Sequence, residues 1–269
     1  MQRGAGRPLF HEVNGMNAVG RFCVTLVLAG AAISQPALAD QRADFIAGIT
    51  KDCPGCDLQG VNKKRADLRD ADLTGANLEG ANFHDAKLAG AKLADADLRS
   101  ANLNIADLRN ADLSGANLTD AMIYGARLGR AKLVGATLDT VLGRTVDMTG
   151  ADASNATFLG ADLALGTFAG TMFGGANLGR ATLDEANMRS AQMENADLSG
   201  ASLTFATLTR ANLAGAKVAG VDLYQADLRD ASLKGADLSG SRLLQATLSA
   251  ESLTDAKLGS TILPDGTVR

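Results

Sequence analysis

From Cys56 to Asp265 the chain repeats one five-residue pattern: apolar, polar, apolar, polar, then polar or glycine. Ala66-Asp67-Leu68-Arg69-Asp70 is followed by Ala71-Asp72-Leu73-Thr74-Gly75 and by Ala76-Asn77-Leu78-Glu79-Gly80. The frame runs on to Thr261-Ile262-Leu263 without insertion or deletion, about 42 units in all. A period of five suits neither a helix nor a strand. A helix would smear the leucines around every face, and a single strand would turn alternate units inside out. The pattern is satisfied if each unit is one straight edge of a coil and the chain turns a corner before the next. Positions one and three of every unit then point to one interior.

The A(D/N)LxG units of residues 56–265 resemble the pentapeptide-repeat family. That resemblance implies an all-β solenoid, a right-handed quadrilateral parallel β-helix with four units per coil. About ten coils follow, a rod roughly 50 Å long at ~4.8 Å per coil. Each buried leucine then contributes roughly 1.5–3 kcal/mol, and stability is close to a sum over neighbouring coils. Asp or Asn at the second position suits turns, because its side chain bonds nearby backbone. Gly at the fifth position permits tight corners.

Departures from the motif mark the ends and one irregular region. Lys63 takes a leucine position in the second unit and Glu251 an alanine position near the far end, as fits frayed or capping coils. In 141–175, Gly143 and Ala153 stand where leucine belongs and Phe158, Phe168 and Phe173 follow. With four units per coil Phe173 falls above Ala153, large beside small at constant density. The rival reading is a bulge or a ligand cavity. Before the repeats, Ala43 to Ile49 suggests a short helix with Phe45, Ile46 and Ile49 plugging the open end, and Pro264-Asp265-Gly266 stops the repeat.

The first 39 residues read as a signal peptide, with Met16 an alternative start. Arg21 precedes the apolar run Phe22–Ile33, and Ala37-Leu38-Ala39 supplies a small-residue cleavage site. The apolar run is too short for a membrane span, and Cys23 is badly placed for lipoprotein cleavage. The expected location is therefore periplasmic or secreted, with residues 40–55 as an N-terminal cap and 266–269 as a tail. The formal net charge is −4. Losing Arg3, Arg7 and Arg21 with Glu12 leaves about −6, no basic footprint for nucleic acid. The chain has no Trp and 2 Tyr, so Leu and Ala must fill a narrow core.

Cys53-Pro54-Gly55-Cys56 is the one motif with candidate chemistry. In an exported protein it favours a disulfide clamping the cap. A thiol-redox role calls for a thioredoxin-like setting that is not visible. A zinc site needs further ligands, and the histidines are only His11 and His84. Asp recurs because the motif demands it, so its spacing carries no catalytic information. The chain reads as a non-enzyme, with no cofactor, metal site or catalytic residue.

Sorting outward residues by the four-unit coil places Ile105, Met122, Tyr124, Leu142, Leu165, Phe205, Tyr224 and Leu244 on one face. The other three faces together expose only Val134, Leu159 and Met172. A second face mixes Arg69, Lys87, Arg109, Arg127, Arg130, Arg189, Arg210 and Arg229 with six aspartates, as a solvated face does. The apolar strip predicts a structural or protein-interaction scaffold of the envelope or secreted space, binding itself or an unknown protein. Some cytoplasmic members of the family mimic DNA and bind type II topoisomerases. That alternative needs a continuous anionic surface, and here basic residues interrupt every face. A CxxC redox protein is the second alternative.

Overall fold

The structure, a computed structural model, describes residues 35–269. The greater part of the proposed signal peptide, with Met16, Cys23 and His11, lies outside the described residues. The chain enters through helix α1 (Gln35–Ala47). The helix expected over 43–49 thus starts earlier, since Pro36 is tolerated in a first turn and good helix formers follow. It also stops earlier. Gly48 adopts φ 76°, its N–H donates to the Phe45 carbonyl and Ile49 N–H to that of Asp44 (3.1 and 2.9 Å), the double bond of a Schellman cap.

Beyond α1, and as far as Ser249, every element is one repeat unit. Parallel bridges join position two of each unit to the residue 20 further on, from Asp57↔Asn77 to Arg242↔Ile262. A coil therefore takes 20 residues, four units. The bridges pass through 141–175 unbroken, so no bulge interrupts the irregular region.

Backbone bookkeeping explains the motif position by position. Leu73 N–H donates up to the Lys92 carbonyl (2.8 Å), Lys92 N–H down to that of Ala71 (2.8 Å), and Gly75 N–H up to that of Ala94 (2.8 Å). Ala76 N–H closes the corner on the Leu73 carbonyl (3.1 Å). Only the fourth N–H is left over, and a buried donor must find a partner. The second side chain supplies it: Asp72 Oδ1 accepts from Thr74 N–H (3.2 Å), Asp97 Oδ1 from Arg99 N–H (3.2 Å) and Asp197 Oδ1 from Ser199 N–H (2.9 Å). From Gly55 to Gln245 every fifth residue takes positive φ, in glycines and in residues such as Asp70 (57°) and Asn110 (59°), as the third residue of a type II turn requires.

Positions one and three are buried along the rod. Gly143 leaves no hole: a Cβ there would lie 3.0 Å from both Ile123 and Leu163, which lean in from the coils on either side. Phe173 sits over Ala153, whose N–H bonds the Met172 carbonyl, and packs edge-on against Phe158 at 5.6 Å. Phe168 lies 5.9 Å from Phe173 and explains another departure. A Cβ on Gly166 would fall 2.5 Å from the Phe168 ring. Where a hydroxyl replaces the alanine methyl it finds a carbonyl in the coil below: Thr171 bonds Met148, Ser241 bonds Val218 and Thr261 bonds Leu238.

Coil pairing begins one unit earlier than expected. Cys53 N–H donates to the Asp72 carbonyl (2.8 Å) and Gly55 N–H to that of Thr74 (2.8 Å). Lys51-Asp52-Cys53-Pro54-Gly55 is thus the first unit, disguised because cysteine replaces leucine. The plug also differs. Phe45 is fully buried, whereas Ile46 and Ile49 are exposed: the helix turns only one narrow stripe toward the open coil, and Ile49 lies beyond its end. Lys63 closes the gap, donating to the Phe45 and Ile46 carbonyls with its ammonium 4.5 Å from the Phe45 ring. Burial pushes its amine pKa down. At the far end Glu251 does not enter the core, where an unpaired carboxylate would be costly. The chain leaves the coil in a 3-10 turn, Ala250–Leu253, and Ser232 finds no bridge partner above it.

Candidate functional site

Two features stand out against the uniform rod: the cysteine pair and the apolar face. Cys53 and Cys56 are joined in the structure, with Cα atoms 5.4 Å apart. They take the third and first core positions of the opening coil, and both are buried. The bridge therefore lies inside the first coil, not in a cap preceding it. Its sulfurs offer no exposed thiol. Among the described residues no cluster of metal-ligating side chains occurs, and no helix is long and apolar enough to cross a membrane.

The eight strip residues all fall on the face built from units 101–105, 121–125, 141–145 and their successors at 20-residue steps. Tyr124 (53%), Leu142 (54%), Phe205 (51%), Ile105 (45%) and Leu165 (42%) are exposed; Met122, Tyr224 and Leu244 are half-buried. They form two clusters. The first, with Met122, Tyr124 and Leu142, lines a shallow groove that also touches Asn104, Arg144 and Asp162. In the second, Phe205 meets Tyr224 edge-on at 5.5 Å, and the Arg242 guanidinium lies 4.5 Å from the Tyr224 ring centroid. Asp184 and Glu185 separate the clusters.

Sequence reasoning missed two aspects of this face. Ile105, Leu165 and Phe205 occupy fifth positions with φ 52°, 61° and 58°. A non-glycine residue there costs roughly 1–2 kcal/mol; Arg130, Thr140 and Thr145 take the same corner, so what sets these three apart is the large apolar side chain. The signal was readable as a large apolar residue in the glycine column. The second aspect is how Tyr124 is held. Met122 cannot accept a bond as Asp or Asn would, so Asn104 reaches up one coil and takes the Tyr124 N–H (2.9 Å).

On the remaining faces charges of both signs are interspersed, several of them paired between rungs. Position two alternates in sign over stretches of the rod, as in Asp67, Lys87, Asp107, Arg127 and Asp147 or Asp197, Lys217, Asp237 and Lys257, with uncharged residues between. Lys257 bonds Asp237 at 2.7 Å and Lys92 bonds Asp72 at 3.4 Å. Within units, Arg69, Arg99, Arg109 and Arg229 clasp the aspartate two residues earlier. The Arg69 bond holds the Asp67 carboxyl at about 2, and the Lys257 bond does the same for Asp237.

A model of pentapeptide repeats, built as blocks of eight copies, matches residues 66–104, 101–139, 167–200 and 206–245, together more than half of the chain. The chain belongs to the pentapeptide-repeat family. Members of the family are generally non-enzymatic structural or interaction proteins. Among solved structures it is similar to HetL, a pentapeptide-repeat protein involved in heterocyst differentiation regulation from the cyanobacterium Nostoc sp. strain PCC 7120. The two share 28% identity over 84% of this chain and 97% of HetL, at a TM-score of 0.69. This likeness makes the solenoid a right-handed β-helix. QnrB1, a plasmid-mediated fluoroquinolone resistance protein, shares 19% identity over 66% of this chain and 86% of its own, at a TM-score of 0.36. That superposition is too loose to carry an argument. No curated protein matches the chain.

Proposed function

We propose that this pentapeptide-repeat protein is a non-enzymatic scaffold of the cell envelope or secreted space, a rod of about ten coils that binds through its apolar face. One observation carries the reading. Ile105, Leu165 and Phe205 hold large apolar side chains in left-handed corners, exposed to water, and all three lie on one face. Such exposure is unfavourable to the isolated rod, and large apolar side chains gathered on one exposed face are a pointer to function. Serine at Tyr124, Phe205 and Tyr224 together tests it. The variant is expected to keep its melting behaviour and lose its binding. An unchanged oligomeric state with unchanged crosslinked partners would discard the face.

Export rests on the order of charge, apolar run and Ala37-Leu38-Ala39. Cleavage after Ala39 would leave Asp40 as the first residue and shorten α1 to 40–47. N-terminal sequencing of the protein from a periplasmic fraction checks this; an uncleaved chain in the cytosol would end it. The cysteine pair is read as a structural clamp, its burial weighing against thiol exchange. Alternating charge along the rungs weighs against DNA mimicry.

A further inference from the structure

The scaffold reading leaves open what covers the strip, and its charges narrow the choice. Residues 20 apart share a column, so Lys64, Tyr124 and Asp184 lie in one column, each 60 residues from the next. Arg65, Gly125 and Glu185 do the same in the adjacent column. On this face Lys64 and Arg65 form a basic rung three coils below Tyr124, and Asp184 and Glu185 an acidic rung three coils above it. Between them the units 101–105 and 121–125 carry no charge, Arg144 faces Asp162 of its own chain at 3.7 Å, and Asp85 pairs with Arg65 at 3.4 Å. Lys64 enters no ion pair among the described residues.

We propose that a second copy of this chain seats on the strip, face to face and antiparallel, with the two-fold axis at the level of Tyr124. The inference rests on the strip being a binding face. Two-fold symmetry makes a surface its own partner. About this axis Lys64 of each copy meets Asp184 of the other, and Arg65, which also holds Asp85 of its own chain, meets Glu185, so the pairing forms twice. The axis itself crosses the first apolar cluster, where Met122 and Tyr124 face their own counterparts and Ile105 and Leu142 flank them.

Other registers lack this match. A parallel pair sets basic rung on basic rung. An antiparallel pair centred on the whole strip crowds Asp162, Asp184 and Glu185 of both copies around the axis. The contact is short, roughly 30 Å for seven coils at ~4.8 Å, at the small end for a specific interface. A weak, salt-sensitive dimer follows, since the flanking pairs are exposed.

Sedimentation velocity of the full chain at rising concentration, in about 20 mM and about 500 mM salt, is the test. Dimer is expected, weaker at high salt. Arg65→Glu and Glu185→Arg should each weaken it roughly tenfold, and the two together should restore it, because opposite charges then face again. Mild oxidation should crosslink the Tyr124→Cys variant to itself but not Phe205→Cys. A chain that stays monomeric, charge variants without effect, or crosslinking through Phe205→Cys instead would overturn the proposal. If the chain is monomeric yet the triple serine variant loses a crosslinked partner, the second copy falls and the strip survives. If that variant loses nothing, both readings fall.

Discussion

The two ends of the rod solve one problem differently. Each exposes an apolar axis and unpaired backbone, the liability of any sheet edge. The N-terminal end is closed by material outside the repeat. Phe45 of α1 is buried over the first coil, Lys63 ties the helix carbonyls to it, and Cys53–Cys56 staples the opening unit. The Arg42 guanidinium also donates to the Asp57 carbonyl. The C-terminal end is closed only in part. The chain folds back so that Ile262 and Val268 pair antiparallel, with Thr261 and Arg269 exchanging both backbone bonds (2.8 and 3.0 Å). Beside that hairpin the lost corner at Ala250–Leu253 leaves an open cleft of about 700 Å³ lined by Leu248, Leu253, Leu258 and Leu263. A repeat sequence can build a middle but not an end, and each end holds as firmly as its non-repeat segment allows.

Four measurements bear on that contrast. The largest effect is expected at the plug. Phe45→Ala removes a fully buried ring and should cost about 3–5 kcal/mol, read as lost hydrogen-exchange protection in the first coils while the distal coils keep theirs. Equal loss along the rod would mean that the end is not a local unit. Next is the staple. Cys53→Ser with Cys56→Ser should cost about 2 kcal/mol for so short a loop, confined to the same coils. At the open end Leu258→Ala should cost only about 1 kcal/mol, because the side chain is already half-exposed; a cost matching Leu73→Ala would show that the cleft is filled in solution. The smallest effect is in pH. Asp67 near one end and Asp237 near the other have carboxyls held at about 2. A depressed pKa adds stability that is present above the unfolded value and lost as pH falls toward the folded one. Melting temperature should be level down to about pH 5 and decline from about pH 4 to 2, slightly, since both ion pairs lie at the surface in contact with water.

The middle of the molecule was legible because its rule is local and repeats. Position one and three burial, the Asx bonds of position two and the Phe173-over-Ala153 stack all follow from a coil of 20 residues. The ends were not, because single residues decide them. Nothing in Lys-Asp-Cys-Pro-Gly looks like a repeat, yet Asp52 Oδ1 takes the Asp72 N–H (2.8 Å) and Gly55 makes the corner with φ 67°. Glu251 sits in an unbroken frame, yet the cost of burying its charge bends the chain away. The face assignment of the strip could be computed from residue numbers. The left-handed backbone of Ile105, Leu165 and Phe205 left only an indirect trace, large apolar residues in the glycine column, since the motif names a preferred glycine and not the conformation it serves.

A coil of four units also makes the rod count in quarters. Gaining or losing one unit would rotate everything beyond it by about a quarter-turn, sending Phe205 and Tyr224 to a different side from Tyr124. Only steps of 20 residues would lengthen the rod and leave the two clusters in line. The spacing between them is thus held by arithmetic as much as by packing, and a tolerated insertion in this chain should come in whole coils.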